Sequence, residues 1–248
     1  MNDVLRDYLR KFCLVYLDDI IIYSKSLQDH KRHVKKVLQA IRSAGLKLKP
    51  AKCKWFKQKI TFLGHKIGVN GIKPDDYNLK KIREAQPPQN EHQLRGFLGL
   101  AQYYQNFIKW FSTIARPLFQ LLKKNTPFEW TVSQQTAFDI LKRKLTEEPI
   151  LAHPDFTKMF KLYTDASDVG LGAVLMQEDD QGKDRVICYE AKTLLSAEKN
   201  YSTTEKECLA VMWAMQKFKH FLRGGQPFEV YIDHAILKTL MTHENPSP

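Results

Sequence analysis

The alternation of apolar and polar positions divides the chain into three textures. From Phe12 to Ser24 it reads FCLVYLDDIIIYS, two β-rich apolar runs on either side of adjacent aspartates, which predicts a hairpin. Val34, Val37, Leu38 and Ile41 then recur at helical spacing, with Gly45 placed to stop the helix. ITFLGHKIGVNGIK, Ile60 to Lys73, predicts a second hairpin with Asn70-Gly71 at or near its turn. Pro74 opens the second texture. Helical segments are expected over Asp75 to Ala85, Glu91 to Ile108 and Ser112 to Lys124, with the breaker QPPQN separating the first two. A further helix runs from Ser133 to Leu145, with Ala137, Ile140, Leu141 and Leu145 on one face. After Pro149 come strands at Phe160 to Thr164, Gly170 to Gln177 and Arg185 to Glu190, the last two separated by the turn-like EDDQGK. A long helix from Thr203 to Leu222, a strand from Phe228 to Ile232 and a short helix from about Ala235 complete a mixed α/β unit.

Composition adds one asymmetry. With 248 residues, 43% of them hydrophobic, the chain can bury more than one core. No apolar run reaches the length of a membrane span, so no membrane partner is expected, and charges interrupt the start MNDVLRDYLRKF throughout. Cys13, Cys53, Cys188 and Cys208 lie far apart without a C-x-x-C pair, which argues against a zinc site or a disulfide framework. The formal net charge is +12, and it is localised: His30 to Pro74 holds thirteen Lys or Arg and no Asp or Glu. Such a block favours polyphosphate binding through counterion release over a merely solvated face. Within it, Lys52, Lys54, Lys57 and Lys59 are the candidate nucleic-acid contacts. Trp55-Phe56 lies among them and suits either stacking or packing.

Two carboxylate constellations carry candidate chemistry. Asp18-Asp19 sits between apolar strands where a plain hairpin would take Asn-Gly or Asp-Gly. Adjacent carboxylates repel, and a hard divalent cation relieves that repulsion. The second set comprises Asp165, ending the strand FKLYT, Asp233, ending FEVYI, and an acid on the intervening helix. Acids so placed suit one two-metal site for phosphodiester cleavage. Glu205 and Glu207 compete for the helix position. Glu207 is preferred because it shares a face with Ala210, Val211, Ala214 and Phe218.

Tyr16-Leu17-Asp18-Asp19 resembles the Y-x-D-D signature of reverse transcriptases, and VYLDDIIIYS resembles the gypsy type of long-terminal-repeat retrotransposon. Phe62-Leu63-Gly64-His65 is similar to that family's primer grip. FLGLAQYYQNFI and ARPLFQLLKK are similar to its thumb and connecting region. Thr164-Asp165-Ala166-Ser167, Tyr201 to Glu207, and Asp233-His234 are similar to its ribonuclease H segment.

The resemblance implies an organisation of 1–74 as the C-terminal part of a polymerase palm, 75–125 as thumb and connection, and 126–248 as a ribonuclease H-like domain. It implies that Asp18 and Asp19 are polymerase metal ligands, that Asp165, Glu207 and Asp233 hold metal for RNA-strand hydrolysis, and that Leu63 and Gly64 touch the primer end. His234 is expected to contact nucleic acid or to cap a helix. The cofactor so implied is Mg²⁺, with Mn²⁺ as its substitute. The partners are an RNA template, a DNA primer, an RNA–DNA hybrid and the rest of a Pol polyprotein, in an intracellular setting, cytoplasmic or nuclear. On the same resemblance, fingers and another palm aspartate would precede these residues and a further ribonuclease H acid would follow them. Polymerisation by the chain alone is therefore not expected. The alternative reading is a catalytically inactive nucleic-acid-binding remnant or a protein-interaction scaffold.

Overall fold

The computed structural model describes residues 1–147, 150–223 and 226–233. The chain separates into two compact units, 1–58 and 59–248. In the first, strands β1 (Cys13–Tyr16) and β2 (Asp19–Ile22) form an antiparallel pair in which Tyr16 faces Asp19. That register leaves Leu17 and Asp18 as the turn, with Leu17 at φ 52°. Helix α1 (Leu27–Ser43) starts where the Ser26 side chain accepts the Asp29 amide. Of the apolar stripe read from the sequence it buries Val34, Val37 and Ile41, while Leu38 is exposed; Val37 and Ile41 share a small core with Leu5 and Cys13.

The second unit opens with a three-stranded antiparallel sheet of β3 (Ile60–Phe62), β4 (His65–Gly68) and β5 (Gly71–Pro74). The expected single hairpin is thus two consecutive ones. Leu63-Gly64 makes the first turn and Val69-Asn70 the second, with Gly71 already paired to Gly68. Helices α2 (Asp76–Glu84), α3 (Glu91–Tyr103), α4 (Phe111–Gln120) and α5 (Val132–Thr146) bury one core that includes Leu94, Phe97, Leu98, Leu118, Phe138 and Leu141. The helix expected over Glu91 to Ile108 stops at Tyr103. A 3₁₀ turn, Gln105–Phe107, follows, and Trp110 takes a left-handed conformation (φ 63°) before α4. The apolar pattern runs through this break because Phe107 and Ile108 enter the same core.

The remaining sheet has the order β8-β7-β6-β9, with β6 (Phe160–Ala166), β7 (Gly170–Glu178), β8 (Asp184–Thr193) and β9 (Phe228–Tyr231). Strands β6 to β8 are antiparallel neighbours, and β9 runs parallel to β6. Helix α6 (Thr203–Lys217) places Ala214, with Phe218 just beyond it, against Phe160, Leu162 and Leu175. The chain then leaves α6 at Phe218 and makes the short α7 (Lys219–Leu222), where one continuous helix was expected. The helix expected from about Ala235 lies outside the described residues.

Candidate catalytic and nucleic-acid-binding sites

In the first unit Asp18 stands in the β1–β2 turn and Asp19 is the first residue of β2; both are exposed. Strand pairing brings the two carboxylates to one hairpin end beside Tyr16. Lys52 closes a 3₁₀ turn, Pro50–Lys52, and Lys54 and Lys57 follow in irregular chain; all three are exposed. Lys59, the first residue of the second unit, is also exposed. Trp55 and Phe56 are about half exposed, and His30 meets the Phe56 ring edge-on.

The Leu63-Gly64 turn is held from below by the end of α3. Leu63 has φ 45° and Gly64 φ 66°, so two successive residues occupy the left-handed region. The Leu63 carbonyl accepts a hydrogen bond from the Tyr103 hydroxyl at 2.5 Å, and the Gly64 carbonyl accepts one from the Tyr104 hydroxyl at 2.5 Å. Asn78 donates its side-chain amide to the Tyr104 hydroxyl at 2.8 Å. A Cβ on Gly64 would stand 3.1 Å from that hydroxyl and 3.3 Å from the Tyr103 ring, so no side chain fits without displacement. Burial pushes the Tyr104 hydroxyl up to about 12, which keeps it a proton donor at every ordinary pH. In the sequence these tyrosines stand out only as part of FLGLAQYYQNFI, the run that resembles the thumb. The available signal was that a buried Tyr, unlike Phe, needs a partner for its hydroxyl.

The third site lies on the four-stranded sheet. Alternation along β6 turns Phe160, Leu162 and Thr164 inward and Asp165 to the opposite face. Asp165 pairs across to Gly172, and the Trp110 ring covers Gly172 so closely that a Cβ there would stand 2.3 Å from it. Lys109, Trp110, Asp165 and Glu190 line a small cavity of about 50 Å³. The Asp165 carboxyl is held above its ordinary range, first by burial and then by Asp233; Lys109 and the Ala166 amide act the other way.

Glu207 is buried at 4% exposure, and its Oε1 accepts the Ala166 amide at 3.1 Å. Glu205 is engaged elsewhere. It forms a capping box with Ser202 at the start of α6, accepting the Ser202 amide at 2.8 Å, and is exposed. Of the two rivals, Glu207 is therefore the one directed at β6. Asp233 follows the end of β9 and is exposed. His234 lies outside the described residues.

The three acids share a neighbourhood without closing on one point. Asp233 acts on Asp165, and Glu207 holds the amide next to Asp165. Among the described residues no group of three or more His, Cys, Asp or Glu is gathered tightly enough to hold a metal ion. The Asp165–Asp233 pair is the part whose chemistry fits a divalent cation: hard oxygen donors that repel each other. Lys109 and Trp110 did not emerge from the sequence as site residues, because the left-handed turn that delivers them leaves no mark on apolar periodicity.

Residues 1–67 match the family model for reverse transcriptase (RNA-dependent DNA polymerase), and residues 130–230 match that for the RNase H-like domain found in reverse transcriptase. Over 99% of its length the chain is 39% identical to the retrovirus-related Pol polyprotein from transposon gypsy of Drosophila melanogaster, of which it covers 24%. It is 42% identical to that from transposon 297 of the same organism, of which it covers 23%. The chain thus spans about a quarter of the length of these relatives. Two solved foamy viral protease-reverse transcriptase structures share its fold. One, the dRH form in complex with double-stranded DNA, has a TM-score of 0.82 at 24% identity and is matched over 98% of this chain and 42% of its own. The other, in complex with RNA/DNA hybrid, has a TM-score of 0.78 at 23% identity, over 99% and 34%. No helix among the described residues is long and apolar enough to cross a membrane.

Proposed function

The chain belongs to the reverse transcriptase and ribonuclease H region of gypsy-type retrotransposon Pol polyproteins, and from that premise we propose that it holds a primer–template and hydrolyses the RNA strand of an RNA–DNA hybrid. As part of a longer polyprotein, such a chain would take part in RNA-directed DNA synthesis. The observation that carries it is the Asp165–Asp233 carboxylate pair beside the Glu207-bonded amide of Ala166. That amide fixes the Glu207 carboxylate at the end of β6, and Lys109 moderates the negative charge around Asp165. The exposed lysines at 52, 54, 57 and 59 attract the phosphate backbone, and the Leu63-Gly64 turn presents rigid backbone to the primer end.

Reverse transcriptase and RNase H families generally use divalent metals. In this reading Asp165, Glu207 and Asp233 in the second unit, and Asp18 and Asp19 in the first, would hold Mg²⁺, or Mn²⁺ in its place, the three second-unit acids drawing together on binding. When bound, such ions activate water or a hydroxyl and steady the leaving oxygen.

Thermal melts with and without Mg²⁺ test the second-unit site. Binding only to the folded chain stabilises it by about 2.7 kcal/mol at a hundredfold excess over the dissociation constant. The shift should disappear in Asp165→Asn and Asp233→Asn, and cleavage of a labelled hybrid should disappear with it in Glu207→Gln. A hybrid that binds but neither melts differently with Mg²⁺ nor is cut would favour the second reading, a non-catalytic nucleic-acid binder. The absence of a closed three-ligand group among the described residues is the observation on that side.

A further inference from the structure

We infer that Tyr103 and Tyr104 are positioning residues for the primer end, acting through the backbone of the Leu63-Gly64 turn. The inference rests on the reading above that this turn meets the primer terminus. A turn with two consecutive residues in the left-handed region, one of them a leucine, is not held by local preference. It has three external hydrogen-bond anchors. Tyr103 and Tyr104, forty residues downstream, donate to the carbonyls of Leu63 and Gly64. The Asp75 amide also donates to the Gly64 carbonyl, at 3.0 Å.

The two hydroxyls come from the last residue of α3 and its C-cap, where the helix gives way to the 3₁₀ turn. The break in α3 has a consequence here: the two tyrosine rings lie nearly perpendicular (83°), and each reaches a different carbonyl of the same turn. His65 sits among Tyr103, Tyr104 and Phe107, and its Nδ1 lies 2.7 Å from the Leu63 carbonyl. With the carbonyls drawn toward α3, the exposed Leu63 side chain is left on the surface, 37% exposed. The position of the turn is thereby tied to α3, so that moving the end of this helix moves the turn.

Tyr103 is half exposed, so losing its hydroxyl removes one anchor without opening the core. Tyr104 is fully buried, and its hydroxyl links Asn78 to Gly64. The experiment uses the full chain and a duplex with a recessed primer end. A fluorescent base analogue at the primer 3′ nucleotide reports contact at the terminus, and anisotropy of a dye at the far end reports overall affinity. Losing one net hydrogen bond should reduce the terminus response roughly fivefold in Tyr103→Phe, and at least as much in Tyr104→Phe. Overall affinity should change less than twofold. Thermal melts of Tyr103→Phe separate this effect from unfolding. An undiminished terminus response in a folded Tyr103→Phe and Tyr104→Phe would overturn the inference. If the unaltered chain binds the duplex with no terminus response, the reading of the turn as a primer contact fails, and the inference falls with it. Equal loss of terminus response and overall affinity would show a structural role only and would also overturn it.

Discussion

Asp165 is an exposed residue whose carboxyl is nevertheless partly desolvated and feels the charge of Asp233. Burial and Asp233 both raise its pKa, so the folded state binds its proton more tightly than the unfolded state does. The stability this contributes is fully present below the unfolded pKa and is lost as pH rises through the folded one. Asp165→Asn, which stays neutral, should therefore melt higher than the unaltered chain at neutral pH in the presence of a chelator. The difference should close as the solution is acidified below the ordinary Asp range, about 3.9. A melting difference that grows in acid would show that the carboxylate is stabilised where it stands. Gly64 carries a different constraint. Alanine there must hold φ near 66° against Tyr104 and Tyr103, which costs about 1–2 kcal/mol for the left-handed backbone alone. Urea titration of Gly64→Ala should show a loss of at least that size. An unchanged midpoint would mean that the turn relaxes freely.

Among the elements, α6 has the most consequential start. Ser202 caps it and Glu205 returns the bond, which sets the helix so that Glu207, two residues later, turns toward β6. Ser202→Ala should cost about 1 kcal/mol, measured by urea denaturation, and should weaken any Mg²⁺-induced melting shift along with it. Much at this scale was legible beforehand. The β1–β2 hairpin, α1, α2 and strands β6 to β9 follow from apolar periodicity and turn residues, and Glu207 was preferred from its helical face. The capping box was also written in the chain as Ser-Thr-Thr-Glu. What periodicity missed were the breaks. Tyr104 to Trp110 leaves the helix while still feeding apolar side chains to one core, so the pattern looks continuous across a change of backbone direction. The tyrosine anchors and the Lys109-Trp110 approach to Asp165 depend on that change, so apolar periodicity alone locates neither of them.

For the molecule as a whole, charge is distributed by unit. The first unit holds fourteen Lys or Arg against five Asp or Glu, a formal +9 in 58 residues. The second holds twenty-five against twenty-two, +3 in the remaining 190. Sequence-independent attraction to a phosphate backbone therefore belongs mainly to the first unit, whatever chemistry the second performs. If about six phosphates are neutralised, the logarithm of the binding constant for an RNA–DNA hybrid should fall with the logarithm of salt concentration at a slope near −5. Replacing Lys52, Lys54 and Lys57 by Ala removes three exposed cations and should flatten that slope by roughly 2.7 units, one phosphate contact for each lysine. The same number of changes at exposed Lys144, Lys183 and Lys199 of the second unit lowers the net charge equally, but should leave the slope nearly unaltered. Fluorescence titrations across a series of salt concentrations measure all three proteins. Equal flattening by both triple variants would mean that only net charge matters. A slope that stays near −5 without the first-unit lysines would remove them from the interface.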